Sequence, residues 1–179
     1  IDPVTTIGIS AMMHGYLVFD KNGNLLVPFR TWKDTTTKEA ADKLTTLFDF
    51  NIPERWSIAH LYQAILNNEV HVKDIAFITT LAGYVHWRLT GKKVIGVGDA
   101  SGMFPISGGT WNPEFVGKFR ELTGIDWLSI APEILTAGQD AGNLTDEGRE
   151  YLFGSRKDIA AENCMLCPPE GDAGTGMVS

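Results

Sequence analysis

Val4-Thr5-Thr6-Ile7-Gly8-Ile9 leads directly into Ser10-Ala11-Met12-Met13-His14-Gly15. The first six residues are mostly β-branched or apolar, so Val4–Ile9 is predicted to be a buried strand. Ligands bind at strand ends in α/β folds, and Met13 and His14 stand just beyond this strand. The structural alternative is a pair of core methionines beside a hydrogen-bonded histidine.

Short apolar runs predict further strands. Tyr16–Phe19 indicates a second strand. Asp20-Lys21-Asn22-Gly23-Asn24 is a hairpin signal, because Asn and Gly favour the left-handed conformation of a tight turn. Leu25–Phe29 is then the returning strand. Val94–Asp99 and Cys164–Cys167 are also predicted to be extended.

Apolar residues at helical spacing predict helices, and capping signals set their limits. Ser57 is predicted to be an N-cap, Asn112 to cap a helix that opens at Pro113, and Leu122 to face the core. The predicted helices lie near residues 40–48, 57–66, 80–89, 113–122 and 145–153. With few strands and more helix, the fold class is α/β.

Composition excludes several classes of protein. The 179 residues are 44% hydrophobic and 21% charged, which suits one soluble domain. A net charge of −7 argues against nucleic acid as a partner, because phosphate binding needs a basic surface. No apolar run approaches the roughly 18 residues that span a bilayer. We therefore expect a cytoplasmic protein with no nucleic-acid or membrane partner.

Cys164 and Cys167 are spaced as C-x-x-C. A redox motif opens a helix, which Pro168-Pro169 would break, and a zinc site needs two more ligands that the scattered histidines do not offer. The pair is interpreted as two ordinary buried thiols, and no metal site is predicted.

Gly171-Asp172-Ala173-Gly174-Thr175-Gly176 is the stretch most suggestive of chemistry. Closely spaced glycines let the backbone approach a ligand, and its exposed N–H groups suit oxyanions. An aspartate on such a turn can accept a hydroxyl proton during phosphoryl transfer. The spacing is not that of a Walker A loop, and a plain turn is the alternative.

Two other polar positions suit a sugar. Trp32 and Asp34 lie where extended structure gives way to helix; an aromatic face packs on a sugar ring and a carboxylate accepts from its hydroxyls. A buried tryptophan beside a helix-capping aspartate explains the same spacing. Asp99 is either a polar site residue or the start of an Asx turn.

Taken in order, these segments resemble the FGGY family of carbohydrate kinases, especially its xylulokinase branch. The resemblance covers nearly the whole chain. Its segments are Ile7–Gly15, Leu17–Asp34, Leu81–Gly91, Gly98–Gly102, Ala131–Thr145 and Gly171-Asp172.

The resemblance implies part of an actin-like, RNase H-like ATPase domain that moves the γ-phosphate of ATP, with magnesium, to a hydroxyl of a pentulose such as xylulose or a related ketose or polyol. By position, Asp172 is the catalytic base. The sugar side comprises Met13, His14, Trp32, Asp34, Asp99 and Ala173, and the ATP side comprises Gly174, Thr175 and Gly176.

The resemblance also implies how much of such a kinase these residues contain. Residues 1–179 are expected to be a partial N-terminal sugar-binding domain, with the first strands before Ile1 and the ATP-binding C-terminal domain after Ser179. The chain alone is therefore expected to be inactive. A homodimer is left open.

Some positions depart from the family pattern. Ala173 stands where the family usually has Asn, no Arg follows Trp32-Lys33-Asp34, and Cys167-Pro168-Pro169-Glu170 replaces a glycine-rich run. The departures around Asp172 motivate a second hypothesis, a sugar-binding or regulatory protein that has lost catalysis. A third hypothesis is a domain of another actin-like ATPase, and the Met-His-Gly and Arg-Leu-Thr-Gly segments argue against it.

Overall fold

The opening stretch forms two short strands, and both pair in parallel with the end of the chain. The structure is a computed structural model that describes residues 2–156 and 158–176. In it, β1 (Val4–Ile7) pairs with β9 (Ala160–Leu166). Next along the chain, β2 (Ser10–Ala11) pairs with β10 (Glu170–Gly171). Val4–Ile9 was predicted to be one buried strand, and this is wrong: β1 has a neighbour on one edge only within the described part, and most of it is exposed.

A second parallel pair extends this layer. The strands β5 (Val94–Gly96) and β8 (Glu133–Leu135) are parallel, and the Gly96 N–H donates to the Pro169 carbonyl at 2.7 Å. Because Pro169 immediately precedes β10, this bond joins β5 to the strand that ends at Asp172. The carboxyl ends of β2, β5 and β10 therefore lie close together.

Two strand pairs are antiparallel. β3 (Leu17–Phe19) pairs with β4 (Phe77–Thr79), and β6 (Ile106–Ser107) pairs with β7 (Thr110–Trp111). The turn predicted after β3 is confirmed, since the Asp20 carboxylate accepts from the backbone of Asn24. The predicted returning strand Leu25–Phe29 is wrong, because it forms only isolated bridges; Pro28 within it has no N–H for a ladder.

All five predicted helices are present, with further short ones. The predicted cap at Asn112 is confirmed, and Thr80 and Thr145 also cap their helices; each of these side chains accepts from the first turn of its helix. The helices are α1 (Lys38–Phe48), α2 (Ser57–Leu66), α3 (Leu81–Thr90), α4 (Val97–Ala100), α5 (Pro113–Thr123), α6 (Trp127–Ile130), α7 (Asp146–Phe153) and α8 (Asp172–Gly176), with a 3-10 turn at Val70–Asp74.

Four local predictions are wrong. Trp56, not Ser57, occupies the N-cap of α2. Leu122 is 45% exposed, because it lies on the outer face of α5. Asp99 lies within α4 instead of an extended segment or an Asx turn. Of the two free thiols, Cys164 is buried but Cys167 is exposed, since it follows the last residue of β9.

Aromatic side chains fill the main core between α1, α2, α5 and α6. The Phe104 and Trp127 rings stack with centroids 4.7 Å apart, and Phe48 stacks on Phe115 at the same distance. Such pairs add to the large apolar area that each ring buries. Within residues 2–156 and 158–176, no helix is both long and apolar enough to cross a membrane.

Replacing Gly117 with alanine is expected to stabilise the protein by about 0.5 to 1 kcal/mol. Gly117 lies in the interior of α5, and a Cβ there meets no heavy atom within 4 Å. The gain comes from the lower conformational entropy of alanine in the unfolded chain. Urea unfolding of the Gly117→Ala protein beside the wild type measures it, and a loss of stability contradicts this reading of α5.

Candidate functional site

The β2–β10 pair places Asp172 beside Met13. Gly171 lies opposite Ala11 in this pair, so the two strands end side by side at the same edge of the sheet. The Met13 N–H then donates to Asp172 Oδ1 at 3.2 Å, and the Ala173 N–H donates to the same oxygen at 3.0 Å. The side chain is exposed. Two backbone donors thus orient the carboxylate and, among the described residues, leave Oδ2 for an outside group.

His14 lies next to this carboxylate in a conformation that few residues adopt. Its φ is +66°, in the left-handed region, where histidine is enriched among non-glycine residues. Its Nδ1 lies 3.1 Å from the Gly102 carbonyl, which can only accept. Burial lowers the pKa of His14 below its usual value. The ring is therefore neutral near pH 7, with the proton on Nδ1, and Nε2 is an acceptor.

A tight contact fixes the backbone after His14. Gly15 has a φ of +88°, and a Cβ there would lie 2.6 Å from the Arg30 carbonyl oxygen, so only glycine fits. The Gly15 carbonyl accepts from Ser57 Oγ at 2.7 Å, and its N–H donates to the Arg55 carbonyl at 3.1 Å. The start of α2 thus holds the Met-His-Gly segment. Sequence reasoning missed this role of Ser57, because its partner is 42 residues away.

Asp99 lies behind β10, fully buried. Its Oδ2 accepts from Thr80 Oγ1 at 2.6 Å. A Cβ on Gly171 would lie 3.1 Å from its Oδ1 and 1.9 Å from the Met13 Cγ, so Asp99, Met13 and Gly171 meet at one point. The structure therefore gathers Met13, Asp99 and Asp172, but Asp99 has no surface that a ligand could touch.

Trp32 and Asp34 belong to the next loop. Trp32 is 47% exposed, with the Lys33 ammonium 5.5 Å from its ring centroid. Asp34 Oδ1 accepts from the N–H and hydroxyl of Thr36. The alternative of a buried tryptophan beside a capping aspartate is wrong, because Trp32 is exposed and Thr37 occupies the N-cap of α1.

Nearby groups on other segments affect the pKa of Asp34. Burial raises the pKa of Asp34, but the bonds from Thr36 and the nearby His60 and Arg30 outweigh it and hold that pKa below its usual value. The contacts described for Trp32 and Asp34 do not include Asp172.

The glycine-rich stretch forms the short helix α8 instead of the predicted turn. Thr175 Oγ1 bonds to Ser10 Oγ at 2.5 Å and donates to the Gly171 carbonyl at 3.2 Å, which winds the chain back onto β2. Ala173 and Gly174 are exposed, and a Cβ on Gly174 meets no heavy atom within 4 Å. A cavity of about 490 Å³ lies beside Thr175, bordered by Ser10, Gly138 and Cys167.

Magnesium and ATP, which the resemblance implies, can be tested against these residues. Magnesium takes oxygen ligands, and no cluster of three or more His, Cys, Asp or Glu side chains in the described residues could hold a metal. The Thr175 hydroxyl is already hydrogen-bonded within the protein. The described residues therefore do not form a cage of three or more such ligands around a metal, and Ala173 and Gly174 of α8 are exposed beside Asp172.

Comparison with known proteins identifies related sequences and structures. The sequence profile of the FGGY family of carbohydrate kinases, N-terminal domain, matches residues 1–160. A xylulose kinase from Staphylococcus xylosus is 27% identical over 160 residues, covering 83% of this chain and 32% of the relative. The chain thus spans about a third of the length of that relative.

Solved structures show the same fold. A ligand-bound xylulose kinase from Lactobacillus acidophilus superposes with a TM-score of 0.82 at 16% identity, covering 99% of this chain and 36% of the other. A gluconate kinase from the same organism gives 0.79 at 16%, covering 96% and 35%. The architecture is thus part of the predicted actin-like, RNase H-like fold. The profile match shows that this chain belongs to the FGGY family of carbohydrate kinases.

Proposed function

We propose that this chain is part of the sugar-binding N-terminal domain of an ATP-dependent kinase, in which Asp172 is the general base. The observation that carries the proposal is the exposed Asp172 carboxylate, oriented by the Met13 N–H next to His14. A base must lie within hydrogen-bond reach of the proton it takes, and the open Oδ2 meets that need. The sugar is proposed to be a pentulose such as xylulose, or a related ketose or polyol.

The neighbouring residues suit the same chemistry. Neutral His14 presents Nε2 as an acceptor for a second hydroxyl of the sugar. Trp32 and Asp34 offer an exposed ring and a carboxylate on the adjoining loop. Ala173 replaces a side chain that often touches the sugar in this family, so we propose that the sugar is held differently at this point.

ATP, when bound, supplies the phosphoryl group. Gly174, Thr175 and Gly176 are proposed to face it, since α8 begins at the base and is largely exposed. The hydroxyl oxygen of the sugar would bond to the γ-phosphorus as its proton passes to Asp172, while the bond from that phosphorus to the bridging oxygen breaks and ADP leaves. Positioning and charge stabilisation provide most of the rate in such transfers, and we propose that they require the whole kinase.

ADP release from the full-length protein with xylulose, gluconate and glycerol tests the proposal. Sugar-dependent release with at least one of them is expected, and none from the 179-residue chain alone. Release by the short chain overturns the proposal that transfer requires the whole kinase. Full-length protein that binds a sugar but releases no ADP supports a sugar-binding or regulatory protein instead. ATP hydrolysis that ignores every sugar supports another actin-like ATPase.

A further inference from the structure

Asp99 is a buried carboxyl that the proposed proton transfer to Asp172 does not use. It has no exposed surface, and only one of its two oxygens is hydrogen-bonded, to Thr80 Oγ1. Within the described residues, Oδ1 has no partner. A buried polar atom without a partner is costly and needs an explanation, and for an ionised carboxylate the cost is greater still.

A second carboxyl fixes Asp99 against the strand that carries the base. Glu170 Oε2 accepts from the Asp99 N–H at 2.8 Å, and Oε1 accepts from the Gly98 N–H at 3.2 Å. A Cβ on Gly96 or Gly98 would lie 2.2 or 2.6 Å from these carboxylate oxygens, so both glycines make room for Glu170. Glu170 is two residues before Asp172, and the backbone of α4 is thus tied directly to the end of β10.

Asp99 Oδ1 lies close to Gly171, the other residue of β10. It would lie 3.1 Å from a Cβ on Gly171, which directly precedes Asp172. A shift of Oδ1 toward Gly171 would therefore displace this residue, and Asp172 would move with it. A displacement of about 1 Å at a reacting group can lower a rate by about 100-fold.

The charges around Asp99 favour its uncharged form. Burial raises the pKa of Asp99, the Thr80 hydrogen bond lowers it, and the negative charges of Glu170 and Asp172 raise it; together they bring this pKa to about 7. Thr80, on the α3 side, is uncharged, and Glu170 and Asp172 are the charged groups that act on Asp99 among the described residues. A proton on Asp99 is present at pH 6 and lost to solvent above pH 7.

We propose that Asp99 is a positioning residue for Asp172: as an uncharged acid it supports the Gly171 backbone, and its ionisation displaces that backbone and the base. The inference rests on the proposed kinase function. Asp99 touches neither sugar nor ATP in this account. It acts only through the position of the strand end.

The test is the pH dependence of kcat/KM for the sugar, measured on the full-length kinase. Between pH 6.5 and 8.5, loss of one proton with a pKa of about 7 lowers the wild-type value by about 25-fold. Asp99→Asn keeps the shape of the side chain without the titration, so its ratio across this range is expected to stay near one, whatever its absolute rate. Asp42→Asn, an exposed change on α1, is the matched control and should keep the wild-type profile.

Glu170→Gln provides a second test, because it should shift the pH profile instead of flattening it. It removes a negative charge that favours protonated Asp99, so the alkaline fall should move to lower pH. If Asp99→Asn does not fold, Glu170→Gln remains as the test. A fall in kcat/KM at the same pH as in the wild type then overturns the inference.

Other outcomes separate the two proposals. An active wild type with a flat profile, or an Asp99→Asn protein that keeps the wild-type fall, overturns the positioning role and leaves the kinase function standing. A wild type with no sugar-dependent ADP release at any pH overturns the kinase function itself.

Discussion

Asp172→Asn is expected to lower kcat of the full-length kinase by about 1,000-fold, within the usual contribution of a general base. The amide oxygen can still accept from the Met13 and Ala173 N–H groups, which bond to Oδ1 in the wild type. The side chain therefore keeps its place but can no longer take a proton. Isothermal titration calorimetry should find a sugar Kd close to the wild-type value.

Measuring both kcat and the sugar Kd distinguishes loss of the base from a disturbed fold. A change that disturbed the fold around Met13 would weaken sugar binding as well as catalysis. Asp42→Asn makes the same chemical change on an exposed helix and should leave both values unchanged. A kcat within about tenfold of the wild type would show that another group takes the proton.

The parts of this fold that could be predicted from the sequence are those fixed by near neighbours. The cap of α5 joins residues two or three positions apart, so Asn112 could be identified from the local pattern. The turn after β3 is equally local.

Contacts between distant segments could not be predicted in this way. Ser57 has the residue type of an N-cap, yet its hydroxyl donates to Gly15, 42 residues away. Glu170 bonds to the backbone at Gly98 and Asp99, more than 70 residues away, and no spacing rule signals such a partner. Proximity of Met13 and Asp172 followed only from the order of the family-like segments.

The burial of individual side chains could not be predicted reliably from the sequence either. Tertiary packing decides which face of a short element meets the core, so Leu122 and Cys167 were placed wrongly although their helix and strand exist. Trp32 shows the reverse case: its residue type favours a core, but the loop presents it to solvent, where a sugar could reach it.

Gly171→Ala is expected to destabilise the protein by about 1 to 3 kcal/mol, the usual cost of overpacking. The added methyl would lie 1.9 Å from the Met13 Cγ and 2.8 Å from its Sδ. Both atoms must move, and the Met13 backbone carries the N–H that orients Asp172. We therefore also expect kcat to fall by about 100-fold.

The Gly117→Ala protein is the matched comparison, because the same substitution there meets open space and should stabilise. Opposite signs at the two glycines would show that the close approach of β2 and β10, and not glycine-to-alanine replacement as such, causes the loss. Met13→Ala in the Gly171→Ala background removes the atoms that clash, so the two changes should cost less together than the sum of their separate costs. Strict additivity in urea unfolding would mean that Met13 and Gly171 do not meet. The strand pair would then not be what brings Asp172 to His14.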